Sequence, residues 1–189
     1  VEHAELQRGE VGRAGDDPAE GVDFAYHYGD YIYEYASGGY ADARGRQTGQ
    51  DFECETVEQY RERYALYQSD PLLQAAHALV PWIITWDDHE VVNDYANDLD
   101  RNFTDPTVFL QRRAAAYQAY FEHMPLRLGP DPQQPSQMRI HDRMAWGTLA
   151  DVWTLDCRQH RDHQACPDLM RGGGRVVMGC DALNDPARS

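Results

Sequence analysis

Residues 87–90 (DDHE) put three carboxylates and an imidazole into four consecutive positions, directly behind the apolar run 82–86 (WIITW). Carboxylates packed this closely raise one another's pKa unless a cation or an arginine sits among them. A structural core has little use for that arrangement, whereas chemistry in open α/β sheets gathers at the carboxyl ends of strands. Asp88 and His89 are therefore candidate site residues, with Glu90 and the nearby Asn93 as further ligands or supports. The bland alternative, a solvated acidic turn with one helix-capping Asp, accounts for one carboxylate and not for the tetrad.

A second constellation, residues 29–34 (GDYIYE), follows another apolar and aromatic run, 22–27 (VDFAYH). Asp30 and Tyr33 offer a carboxylate and a phenol three residues apart. Both are anionic oxygen donors that suit a divalent or trivalent cation. A Gly-Asp turn followed by a core aromatic is the structural alternative. Arg158, in residues 156–159 (DCRQ), follows a further strand-like run, and its planar guanidinium can grip phosphate with two parallel hydrogen bonds. Its alternative is a surface arginine paired with Asp156 or Asp162. His27 fits a packed core histidine as well as a supporting partner of the site, and His77, within an Ala/Leu-rich stretch, reads as structural.

The elements that position these residues are legible from periodicity and punctuation. Runs 22–27 and 82–86 read as buried strands. Val57, Tyr60, Tyr64 and Tyr67 recur at steps of three, four and three, which predicts a helix from residue 56 with those four on one face. Asp70-Pro71 caps and opens a second helix that ends before Pro81, and Asp105-Pro106 opens a third, whose inward face is expected to carry Leu110, Ala114, Tyr117 and Phe121. Runs 138–146 and 148–155 read as two strands turning at Gly147, the second expected to be buried on both faces. Residues 1–21, rich in Gly and acids, read as a lead-in, and 22–189 as the body of an α/β domain.

The chain has 189 residues, with 17 arginines, no lysine and 32 acids, a formal charge of −15. A chain of this size buries roughly 70% of its unfolded surface around one core. The negative field repels polyanions, and no nucleic-acid-binding module is evident. The longest apolar stretch, 72–86, is broken by Gln74, His77 and Pro81 and is too short to span a bilayer. Four cysteines without a CxxC pair argue against a ribbon-type zinc site, and Cys166 with Cys180 is the favoured disulfide, in an oxidising compartment.

GDYIYEY, YRERYALYQSDPLLQAAHALVPWIITWDDHEVVNDY, FLQRRAAAYQAYFEHMPLR, WGTLADVWTLDCRQHR and LNDPARS, in this order from about residue 22 to the end, resemble the alkaline phosphatase D (PhoD-like) metallophosphatases of the calcineurin-like superfamily. The resemblance implies a two-sheet sandwich flanked by helices, hydrolysing phosphate monoesters or diesters in the periplasm or outside the cell. It implies Fe(3+) and Ca(2+) as cofactors, with Asp30 bridging the metals, Tyr33 on the ferric ion and Asp88 on calcium. His89 would face the phosphoryl oxygen or leaving group, Arg158 would hold the phosphate, and Glu90 and Asn93 would support them or add ligands. The expected oligomeric state is monomeric.

Two departures from the family pattern stand out. No cysteine precedes Cys54, where the family has an upstream cysteine ligand, and no Gly-Asp-Val-His type motif follows residues 185–188. The chain therefore reads as an internal piece of the family's domain, truncated at both ends, with little or no phosphatase activity by itself. The alternative is a non-catalytic secreted calcium-binding or interaction module on the same scaffold.

Overall fold

The computed structural model describes residues 21–39, 50–165, 179 and 181–184. Its elements are strand β1 (Ala25–His27), helices α1 (Val57–Gln68) and α2 (Pro71–Leu79), strand β2 (Trp82–Ile84), helix α3 (Pro106–His123), and strands β3 (Asp142–Trp146) and β4 (Ala150–Thr154), with a 3₁₀ turn at Asp181–Asn184. The mixed α/β class is as expected, in the form of two small sheets. β1 and β2 run parallel with His27 opposite Ile84, and β3 and β4 form an antiparallel hairpin that turns at Gly147. No helix among the described residues is long and apolar enough to cross a membrane.

The helix boundaries follow from local chemistry. Thr56 and Gln59 make a reciprocal capping box at the start of α1, Asp70 accepts from the amides of Leu72 and Leu73 ahead of α2, and Asp105 accepts from Thr107 ahead of α3. Each cap satisfies amides that the first helical turn leaves without partners. Pro71 and Pro106 stand at the first helical positions, where their missing N–H costs nothing.

α1 and α3 pack together over the alanines Ala116 and Ala119, with Tyr60, Tyr64, Tyr117 and Tyr120 buried. Trp86, immediately beyond β2, stacks on Tyr117 at 4.3 Å between ring centroids and donates its indole N–H to Asp156. The core thus reaches the strand end that carries the acidic tetrad.

Two expectations are corrected. The buried face of α3 is Phe109, Arg113, Ala116, Tyr117, Ala119 and Tyr120, while Leu110, Ala114 and Phe121 are only half-buried. The face is turned by about one residue because Arg113 points inward, donating to the carbonyls of Ser136 and Asn97. An apolar periodicity does not register a buried arginine. β4 is also not buried on both faces: Trp153 is 62% exposed, and the flanking Leu149 and Leu155 are 86% and 65% exposed. The hairpin strands pair only with each other among the described residues, and Trp146 packs against Phe24 at 5.0 Å between ring centroids. Cys54 and Cys157 are free thiols, and Cys166 and Cys180, the favoured disulfide, lie outside the described residues.

The tightest point of the fold is Gly29, at φ +114°, where an added Cβ would fall 2.3 Å from the backbone nitrogen of Asp87. Only glycine takes this φ without strain while letting the two strand-end loops touch. Gly29→Ala is expected to lower stability by about 2–4 kcal/mol, combining backbone strain with overpacking. A urea unfolding midpoint equal to that of the unaltered chain would contradict this.

Candidate metal centre

Parallel pairing makes β1 and β2 end on the same side, so the loop after β1 and the loop after β2 lie against each other. Two glutamates cross between them. Glu90, from the second loop, accepts from the amide of Tyr31 in the first at 2.5 Å and from Asp87 in its own at 2.9 Å. Glu34, from the first, accepts from the amide of Asn93 at 2.7 Å and binds Nδ1 of His89 at 2.6 Å. Both glutamates are fully buried.

This crossing brings Asp30, Asp88 and His89 together, with one potential ligand atom of each within 4.8 Å of the others. Asp30 takes the left-handed backbone region at φ 57°, and the Tyr33 hydroxyl donates to its Oδ2 at 3.4 Å. The rings of Tyr33 and Tyr35 flank His89, with centroids 4.3 and 5.4 Å away. Asp88 is buried, and its Oδ2 accepts from the amide of Asp94 at 2.5 Å. Arg158 donates from Nε to Oδ1 of Asp87 at 2.5 Å, and a terminal nitrogen lies 3.5 Å from Oδ2 of Asp88. Neither Asp156 nor Asp162 pairs with its guanidinium among the described residues; Asp156 accepts from its backbone amide instead.

The donor set fits a cation. Oδ1 of Asp30 is buried and has no hydrogen-bond partner. A carboxylate oxygen left so is costly unless something positive meets it. Two carboxylates with a phenol and an imidazole beside them supply mostly hard oxygen donors. Glu34, behind His89, is the kind of carboxylate that fixes the tautomer and direction of a histidine at a metal site.

Glu90 and the Asn93 amide tie the two loops together. Both Glu90 oxygens are taken by backbone amides, and the Asn93 side chain donates to Asp94 at 3.1 Å. His27 is buried at the end of β1, its Nδ1 accepting from Gly29, and His77 stacks on Trp82 at 4.0 Å and bonds the Tyr31 hydroxyl at 2.8 Å. Sequence reasoning assigned no role to Glu34 or Asp87. Both stand inside the constellations singled out, but nothing in residue type separates a crossing carboxylate from a ligand.

A family model described as PhoD-like phosphatase matches residues 12–189. The chain belongs to the PhoD-like phosphatase family. It is 47% identical over 150 residues to alkaline phosphatase D of Bacillus subtilis (strain 168), an alignment covering 79% of this chain and 26% of that protein. A solved structure of PhoD superposes with a TM-score of 0.73 at 47% identity, covering 79% of this chain and 28% of the other. The chain thus spans about a quarter of the length of the curated relative it matches. Within this PhoD-like family member, the region of likeness accounts for the calcineurin-like α/β class expected from the sequence.

The site's protons report its electrostatics. Burial pushes the Asp30 carboxyl up to about 6, with Asp88 and Asp87 adding to the shift and His89 opposing it. Burial, reinforced by the charge of Asp30, pushes Glu90 up to about 8 against the amides it accepts from. For His89 burial acts downward, but the bond and charge of Glu34, with Asp88 and Asp30, outweigh it and raise the ring to about 9. All three groups hold protons more tightly folded than unfolded. Stability from this source is complete below their ordinary values and is lost as pH rises through 6, 8 and 9 in turn. Without added cation, the urea midpoint is expected to fall between pH 5 and pH 9, and calcium is expected to flatten the fall. A midpoint that climbs over this range would contradict the assignment.

Proposed function

We propose that this chain carries part of the catalytic centre of a metal-dependent phosphoesterase, acting on phosphate monoesters or diesters. The observation that carries the reading is the buried, unpartnered Oδ1 of Asp30, set beside Asp88 and His89 at the ends of two parallel strands. Family membership supports the reaction class. In this reading Asp30, Tyr33 and Asp88 are the residues that would hold the cations, Fe(3+) and Ca(2+). Bound there, such ions polarise phosphoryl oxygens and lower the pKa of a coordinated water.

The remaining steps belong to the chain's own groups. Glu34 holds Nδ1 of His89 and so aims Nε2. The bond and charge of Glu34 favour the protonated ring of His89, which can donate from Nε2 to a phosphoryl or leaving-group oxygen. Arg158 sits within reach of the same cluster through Asp87 and Asp88, and its remaining guanidinium N–H groups can donate to a phosphate oxygen. The buried flank from Trp86 to the two glutamates keeps water from the supporting bonds, which strengthens each charge interaction inside.

Calcium and ferric titrations by calorimetry, paired with p-nitrophenyl phosphate hydrolysis, test the proposal. Asp30→Asn and Asp88→Asn are expected to weaken cation binding by about 10- to 100-fold. Whatever hydrolysis the chain shows is expected to require added cation and to drop by roughly 10²–10⁴ in His89→Ala. Unchanged affinity in both Asp variants, or hydrolysis that persists without any cation, would contradict it.

A further inference from the structure

Arg63 lies in the middle of α1 and is completely buried. One terminal nitrogen donates to the carbonyl oxygens of Tyr33 and, at 2.9 Å, of Tyr35. The other donates to the carbonyl of Phe52 at 3.0 Å, and Nε donates to Oε1 of Gln50 at 2.5 Å. All four acceptors are neutral. A buried cation without a counter-charge retains much of its desolvation cost, so as mere packing of α1 it is a poor choice. What a guanidinium offers is a rigid fork of donors that can join carbonyls from separate chain segments, which a lysine ammonium does not reproduce.

The segments it joins are specific. Tyr33 and Tyr35 stand on either side of Glu34, and the Glu34 carbonyl itself accepts from the amide of Cys54 at 2.9 Å. Ser37 donates its amide to the Gln50 carbonyl at 2.5 Å. Three consecutive carbonyls, 33 to 35, are thereby fixed from outside the loop. Their side chains are the ones that meet the site: Tyr33 on Asp30, Glu34 on His89, and the Tyr35 ring against His89.

We propose that Arg63 is a positioning residue of this site. By fixing the backbone on both sides of Glu34, it sets the reach of Glu34 to His89 and of the Tyr33 hydroxyl to Asp30. Arg113 in α3 is a matched control, equally buried and also bonded to carbonyls, but those of Asn97 and Ser136. The inference rests on reading the Asp30, Asp88 and His89 cluster as the functional site, and its experiment reads the loop directly, so the two can fail separately.

The test compares amide hydrogen exchange and calcium titration in the full chain, in Arg63→Lys and in Arg113→Lys. In Arg63→Lys, amides 33–37 are expected to exchange roughly tenfold faster while the facing amides of α1 and α3 keep their protection. Calcium affinity is expected to fall by about tenfold. Arg113→Lys is expected to speed exchange near 97–99 and 136–138 and to leave calcium affinity within about twofold. Wild-type exchange and affinity in Arg63→Lys would overturn the proposal, as would an equal loss of affinity in Arg113→Lys. Should Arg63→Lys fail to fold, Gln50→Ala removes only the acceptor for Nε. It is expected to speed the same amides about threefold, and no change there overturns the proposal. Faster exchange at 33–37 in a chain that binds no calcium supports the positioning role and contradicts the metal reading.

Discussion

The structure turns on two carboxylates that cross between the ends of two parallel strands. Glu90 reaches from the loop after β2 to the amide of Tyr31, and Glu34 reaches back from the loop after β1 to His89 and the amide of Asn93. Strand pairing alone fixes only three residue pairs, too few to hold two irregular loops in register. These are hydrogen bonds from backbone amides and an imidazole to buried carboxyl oxygens, groups that are costly to leave without partners. Made inside the protein and away from solvent, they make the loops a single unit. Gly29, where the loops touch, allows the approach, and any side chain there would force them apart.

That constraint has an electrostatic consequence. Bringing the loops together concentrates Asp30, Asp88, Glu34 and Glu90 in a small, mostly dry volume. Some of that charge is met by His89, and some at the rim by Arg158 on Asp87 and Asp88. One oxygen, Oδ1 of Asp30, has no hydrogen-bond partner. Buried carboxyl groups gathered at two strand ends, with one acceptor left without a donor, are the observation behind the proposed cation site. α1 and α3 pack around tyrosines and alanines, and each sends one buried arginine to carbonyls of the irregular segments.

Two helix starts, the two strand ends and the acidic tetrad were legible because they depend on local chemistry: Asp-Pro pairs and apolar runs ending in carboxylates. Asp30, Asp88 and His89 could be singled out because charges at a strand end have few structural uses. Glu34 and Arg63 were not legible in role. Each is a charged residue whose meaning comes from what lies across from it, Glu34 from a histidine 55 positions away and Arg63 from carbonyls about 30 positions away. The same limit turned the face of α3, since Arg113 is buried for its hydrogen bonds and apolar periodicity excludes it. β4 shows the opposite error. Its imperfect alternation suggested burial on both faces, but a strand's sequence states what it could bury and not which neighbours are there to cover it.

The central claim is that the two strand ends, held by crossing glutamates, form a cation site. Its most direct measurement is anomalous diffraction from crystals grown with iron and calcium, collected on either side of the iron edge. The account predicts an anomalous peak within bonding distance of Oδ1 of Asp30, with density from Asp88 and the Tyr33 hydroxyl converging on the same cluster and Glu34 still on His89. Metal-loaded crystals with no peak at Asp30, or with ions bound only elsewhere on the acidic surface, would contradict it.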